Sequence, residues 1–203
     1  MTPSLKAALI DAAADVIAQQ ADTLTALDQA IGDGDHGINM KRGFEAIRQE
    51  KDAIAELADD EALHKAGMTL VMKVGGASGP LYGSLLMGMA KAAKAGDDLE
   101  GQLAEGIAMV KKRGKSDVGA KTMLDVLVPV HESLKGHGGE PAAAVIAAAR
   151  EAADAAREAT RDMLATRGRA SFLGERSVGH YDPGATSSQL LVNTICDVLE
   201  RET

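Results

Sequence analysis

Residues 24–39, LTALDQAIGDGDHGIN, decide the fold. Gly32-x-Gly34-x-x-Gly37 matches the glycine fingerprint of a dinucleotide-binding βαβ unit, and that fingerprint needs a strand directly before it. The preceding Leu24, Leu27 and Ile31 fall at helical spacing instead. Asp33 and Asp35 fill two of the intervening positions, where they repel a pyrophosphate unless a cation stands between. The stretch therefore reads as a helix end followed by an acidic, glycine-permitted turn. Three carboxylates, Asp28, Asp33 and Asp35, crowd into it. Carboxylates so close repel one another unless they share a hard cation, and oxygen ligands on such a turn suit Mg2+. Turn and cap roles would also account for these residue types.

Outward from this stretch, apolar residues recur at helical spacing and no alternating run argues for strands, so the predicted class is all-α. Pro3 sits where a first helical turn tolerates it. Helices are predicted at about 3–20, 22–30, 38–50, 60–74, 80–95, 97–113, 119–135, 141–166 and 185–201. With short linkers they pack as antiparallel neighbours in a bundle or a closed ring, and nothing marks a boundary within residues 1–203, so one domain is expected. The segment 168–184, GRASFLGERSVGHYDPG, is too long for an ordinary connection; Phe172, Leu173, Val178 and Tyr181 give it apolar anchors, which points to a functional loop. All four aromatics, Phe44, Tyr82, Phe172 and Tyr181, lie in or beside glycine motifs and are expected to pack the site. Arg150, Asp154, Arg157, Glu158 and Arg161 read as a solvated helix face.

The formal charge of −8 argues against nucleic acid and anionic membrane surfaces as partners. Cys196 is the only cysteine, which excludes an internal disulfide and suits a reducing compartment; it reads as a small buried hydrophobe. The N-terminal stretch is amphipathic and interrupted by Asp11 and Asp15, neither a signal peptide nor a membrane span, so a cytoplasmic location is expected.

Several familiar motifs fail on spacing. A calcium hand from Asp33 needs an oxygen ligand where Gly37 stands and a Glu where Phe44 stands, and the glycine required before Gly114-Lys115-Ser116 for a phosphate loop falls on Met109. Three further clusters open helices and could present free N–H groups to an anion: Gly75-Gly76-Ala77-Ser78-Gly79-Pro80, Gly119-Ala120-Lys121-Thr122-Met123 with Asp117 available as a cap, and Gly184-Ala185-Thr186-Ser187 behind Asp182-Pro183.

Together, LDQAIGDGDHGINM, GGASGPLYGSLL, GAKTMLDVLVP and GRASFLGERSVGHYDPGATS, in this order and across nearly the whole chain, closely resemble the nucleotide-binding L subunit (DhaL) of dihydroxyacetone kinases. The resemblance implies a closed barrel of about eight antiparallel amphipathic helices with the nucleotide in loops at one end. It implies that Asp28, Asp33 and Asp35 bind two Mg2+ ions bridging the phosphates of ADP or ATP, and that His36, Gly37, Ile38 and Asn39 line the nucleotide. Ala77 and Ser78 would then meet the phosphates and Gly119 the base or ribose, while Arg169, Asp182, Pro183 and Gly184 close the other side. Phe172 stands where some relatives carry Tyr.

A stand-alone L chain is similar to the subunit of the phosphoenolpyruvate-dependent system. There a separate K subunit holds dihydroxyacetone covalently through a histidine, and a phosphohistidine M subunit of the phosphotransferase system recharges the bound ADP. Phosphoryl transfer needs mainly positioning and neutralised charge, which two metals and helix ends provide. Two alternatives remain: an ATP-exchanging kinase subunit for another small ketose or polyol, and a non-catalytic nucleotide-sensing or partner-docking protein. A homo-oligomer is compatible with each.

Overall fold

The computed structural model describes residues 1–202, and among them every regular element is helical. The nine α-helices are α1 (Pro3–Ile31), α2 (His36–Gln49), α3 (Lys51–Ala55), α4 (Asp59–Lys73), α5 (Ser78–Ala95), α6 (Leu99–Gly114), α7 (Leu124–Gly136), α8 (Ala142–Ala159) and α9 (Pro183–Glu202). Two 3-10 segments, Thr160–Asp162 and Arg169–Ser177, lie between α8 and α9. Around the molecule α1 packs on α2, α2 on α4, α4 on α5, and so on through α6, α7 and α8 to α9, which returns to α1. The all-α, closed, eight-helix barrel is thus present, with the short α3 as an extra piece against α1 and α4. Its interior is one continuous core to which each wall contributes, including Ile17 and Leu24, Met40, Leu70, Leu85, Val110, Val126, Ala153 and Cys196. Burying such side chains contributes about 1.5–3 kcal/mol for each large aliphatic one, so closing the ring is the dominant stabilising event. Cys196 is buried as its type predicts. Among the described residues no helix is long and apolar enough to cross a membrane.

The helix boundaries differ from the predicted ones for identifiable reasons. The two segments predicted before residue 31 form one helix, because nothing at residues 20–22 interrupts the turn and Ala21 is buried against α2. Its start follows the sequence: Thr2 caps it by accepting the Leu5 N–H at 3.2 Å, and Pro3 occupies the first turn. α7 begins at Leu124 rather than 119, since Gly119 (φ 91°) and Lys121 (φ 63°) adopt left-handed conformations that no helix continues through. α8 stops at Ala159, and residues 163–168 are not helical. Within the 168–184 loop, predicted without regular structure, Arg169–Ser177 winds into 3-10 turns kinked at Gly174.

Two packing expectations also change. The charged face of α8 stays largely exposed but is tied to α9: Arg150 pairs with Asp197 of α9 at 2.8 Å, and Asp154 accepts from Gln189 and Asn193 of α9 at 2.7 and 2.8 Å. Among the aromatics, Tyr82 is buried beside the cavity and Phe44 packs on the core, whereas Phe172 is 85% exposed. Tyr181 lies under Arg157, whose guanidinium stands 3.6 Å from the ring centroid, and its hydroxyl donates to Glu158.

Candidate functional site

The acidic turn joins α1 to α2 at one end of the barrel. Asp28 lies in the last turn of α1, is buried, and accepts the backbone N–H groups of Asp35 at 2.9 Å and His36 at 3.1 Å. The end of one helix thereby holds the start of the next. Gly32 is required for this arrangement, because a Cβ there would stand 2.0 Å from Oδ1 of Asp28. One carboxylate oxygen from each of Asp28, Asp33 and Asp35 lies within 4.8 Å of the others. Asp33 and Asp35 are exposed to the cavity, and across it Nη2 of Arg169 reaches Oδ2 of Asp33 at 2.9 Å. This all-oxygen set of hard, negatively charged donors fits a divalent cation such as Mg2+.

The cavity, about 320 Å3, receives the starts of α2, α5 and α9. Each start has an explanation in the local sequence. Ala77 provides α5 with no side-chain cap, and Pro80 in its first turn lacks the N–H that would be unsatisfied anyway, so the positive helix end faces the cavity with Gly76, Ala77 and Ser78. Asp182 caps α9 by accepting the Ala185 N–H at 2.7 Å, and Pro183 begins the helix. Burial pushes the Asp182 carboxyl up to about 7; the Ala185 N–H opposes this, while Asp125 and Asp28 add to it.

A chain of neutral groups ties the three helix starts together. His36 is buried, with Nδ1 hydrogen-bonded to the Ser78 hydroxyl and Nε2 to the Ser187 hydroxyl, each at 2.9 Å. The Tyr82 hydroxyl continues the chain to Ser187 at 2.7 Å and Ser188 at 2.8 Å. Burial lowers the His36 pKa to about 4 against the opposing effect of Asp28, so the ring is neutral around pH 7 and acts by position rather than charge.

The residues singled out in the sequence divide in the structure. Asp28, Asp33, Asp35, His36, Ala77, Ser78, Arg169, Asp182, Pro183 and Gly184 line the one cavity. Gly37, Ile38 and Asn39 do not line it. Gly37 faces α1, Ile38 is 60% exposed, and Asn39 accepts from Arg42 at 2.6 Å. Gly119 lines a neighbouring cavity of about 430 Å3 that shares Arg167 with the first. The 119–123 segment is a turn rather than a helix start, and Asp117 does not cap it. Asp117 accepts from Val118 and Lys111, while the buried Asp125 accepts the N–H groups of Gly119 at 2.5 Å and Thr122 at 2.6 Å. The sequence assigns no individual role to Asp125 or Ser188, and it names Lys121 and Ser187 only within helix-opening clusters and Tyr82 only as an aromatic expected to pack the site. Asp125 had one usable signal, a carboxylate a few residues behind a Gly-Ala-Lys-Thr turn.

Residues 30–197 match the DAK2 domain. The chain belongs to the DAK2 domain family. Among similar members, the PEP-dependent dihydroxyacetone kinase 1 ADP-binding subunit DhaL of Listeria innocua is 48% identical over 85% of this chain and 84% of its own. The corresponding Escherichia coli subunit is 42% identical over 89% of this chain and 90% of its own. The D-erythrulose kinase of Mycolicibacterium smegmatis is 37% identical over 98% of this chain, but the match covers only 36% of that protein. A similar fold is found in the crystal structure of the dihydroxyacetone kinase from C. freundii in complex with AMP-PNP and Mg2+. The TM-score is 0.79 at 24% identity, over 96% of this chain and about a third (34%) of that enzyme.

Proposed function

We propose that this chain is the nucleotide-binding, phosphoryl-transferring subunit of a phosphoenolpyruvate-dependent dihydroxyacetone kinase. The observation that carries the reading is the convergence of Asp28, Asp33 and Asp35 within 4.8 Å at the cavity into which α2, α5 and α9 direct their N-termini. Asp28, Asp33 and Asp35 would hold two Mg2+ ions, which supply charge neutralisation of the phosphates when bound. The first turn of α5, with Ala77 and Ser78, orients phosphate oxygens by backbone N–H groups. His36 fixes the Ser78 hydroxyl, and Arg169 adds an exposed positive charge from the opposite wall. Asp182, Pro183 and Gly184 close the cavity, with Gly119 at the adjoining one for the base or ribose. His36, Gly37, Ile38 and Asn39 shape the α2 start rather than all touching nucleotide.

In this reading ADP stays bound and is recharged by a phosphohistidine M subunit, and the acceptor ketose is held by a K subunit, so this chain needs little acid–base chemistry of its own. Names of similar subunits, which specify ADP binding and PEP dependence, support the assignment. The test is Asp33→Ala. Loss of a charged ligand costs about 2 kcal/mol or more, so calorimetry should show Mg2+-dependent ADP affinity falling by about 30-fold or more. Tight ADP binding retained by the variant would defeat the proposal. The similarity to a D-erythrulose kinase favours a second reading, an ATP-exchanging subunit for another small ketose. Sustained turnover with a K partner and ATP alone would select it.

A further inference from the structure

Lys121 is unusual twice over. It is a non-glycine residue with φ 63°, and it is 1% exposed although lysine is almost never fully buried without partners. Its sequence context, Gly-Ala-Lys-Thr beside a nucleotide cavity, invites a lysine that touches phosphate. The ammonium is instead engaged elsewhere: Nζ donates to the carbonyl oxygen of Met163 at 3.1 Å and to that of Ser177.

Those two carbonyls are the two feet of the loop that carries Arg169. Other bonds gather the same feet. The Ala165 N–H donates to the Ser177 hydroxyl at 3.0 Å, that hydroxyl donates to Gly174 at 2.7 Å, and the Gly179 N–H donates to Arg161 at 2.8 Å. The Thr166 N–H donates to Ala120 at 3.2 Å, fastening the loop to the turn that holds Lys121. Ser177 is fully buried, whereas Arg167, Arg169 and Phe172 at the far side of the loop are exposed. The result is a rigid base and a solvent-facing tip. A buried carbonyl needs a donor, and a lysine stem on a left-handed residue delivers one ammonium to both. Burial lowers the pKa of that ammonium, and Asp182 and Asp162 oppose the shift.

We propose that Lys121 is a positioning residue of the nucleotide site: by closing the base of the 163–177 loop it sets where Arg169 stands over the Asp28–Asp33–Asp35 cluster, and thereby how long a nucleoside diphosphate is retained. The inference rests on the nucleotide reading of the cavity, and two readouts separate them. The first is the release rate of a fluorescent ADP with Mg2+ from the native chain, Lys121→Met, Arg169→Ala and the double variant. An arginine–phosphate contact is worth a roughly ten- to hundred-fold change, so Arg169→Ala should speed release by that factor and Lys121→Met by no more. The double variant should match Arg169→Ala within about twofold, because Lys121 acts through Arg169. The second is hydrogen exchange across residues 163–179 without nucleotide, which should rise in Lys121→Met and stay native in Arg169→Ala.

Multiplying effects in the double variant, or native exchange in Lys121→Met, would overturn the assignment. If Lys121→Met does not fold, Lys121→Gln, which keeps a donor, takes its place. Failure of both to fold while Arg169→Ala folds would make Lys121 a residue of general stability and equally overturn it. If the native chain binds no ADP, the nucleotide reading falls, and exchange alone decides whether Lys121 closes the loop.

Discussion

Gly37→Ala distinguishes two explanations of the third glycine in the acidic turn. The family resemblance puts Gly37 against nucleotide, whereas the structure puts it against α1. A Cβ at this position would stand 1.9 Å from the carbonyl oxygen of Ala21, 2.5 Å from Oγ1 of Thr25 and 2.8 Å from the Thr25 backbone nitrogen. Two of these three atoms are backbone and cannot rotate away, so α2 must lift off α1. Forced overpacking costs about 1–3 kcal/mol, here toward the upper end. Alanine regains up to ~1 kcal/mol of helix propensity. The net expectation is a loss of about 2 kcal/mol, which for a chain of 203 residues lowers Tm by roughly 4–8 °C in thermal unfolding followed by circular dichroism. Gly136→Ala is the control: Gly136 is the last residue of α7 with nothing within 4 Å of its added Cβ, so Tm should hold or rise. A Gly37→Ala protein with native Tm, weakened only in nucleotide binding, would refute the packing argument.

Tyr82→Phe removes the hydroxyl that serves Ser187 and Ser188 in a buried setting, and should cost about 1–2 kcal/mol, a Tm drop of roughly 2–8 °C. An unchanged Tm would mean the serines re-pair without it. Asp182→Asn tests linkage in the metal-free protein. The folded carboxyl, held near 7 against an ordinary 3.8, keeps a proton that the unfolded chain has lost, so its contribution to stability falls as pH rises through that window. His36, lowered to about 4 from 6.5, acts oppositely between those values, its contribution rising with pH. The native chain should therefore show a flattened stability profile in guanidinium titrations across this range. Asp182→Asn should show a steeper rise; parallel profiles would refute the assigned shift.

How much of this could be read from sequence depended on how far apart the interacting groups lie. The helices followed from apolar spacing, a local signal repeated along the chain, whereas spacing left a bundle or a closed ring open and the eight-helix barrel came from the family resemblance. The metal-binding candidates were legible because Asp28, Asp33 and Asp35 lie close together in sequence, at a helix end and the loop after it, where their mutual repulsion needs explaining. Asp182-Pro183 was legible as a helix start because capping is also local. Lys121 was not, since its partners lie 42 and 56 residues away and are carbonyls, which every residue possesses. The α8 charges were legible only in part for the same reason: their spacing permits pairing within the helix, where Arg157 meets Glu158, but the partners of Arg150 and Asp154 are Asp197, Gln189 and Asn193 of α9. Phe172 departs from the expected packing because an apolar side chain need not be buried: the rule that cores are apolar works only in one direction.

The barrel end must also remain folded before any cation arrives, and its three carboxylates achieve this by different means. Asp28, the buried one, has two backbone N–H donors at the start of α2, enough to replace part of the water it has lost. Asp33 has the Arg169 guanidinium at 2.9 Å, a contact exposed on both sides and therefore weak, readily exchanged for a phosphate. Asp35 stands exposed at the positive end of α2, which favours a negative charge without holding it. Only Asp28 is fixed by the fold, and the other two are free to adjust. In the proposed reading a cation would be received without rebuilding the core, and Arg169, which now pairs with Asp33, would be freed toward a nucleotide if Asp33 ligated the metal. That exchange depends on Arg169 already standing within reach, which makes the loop base at Lys121, 42 residues from one of its partners, part of the same device as the acidic turn.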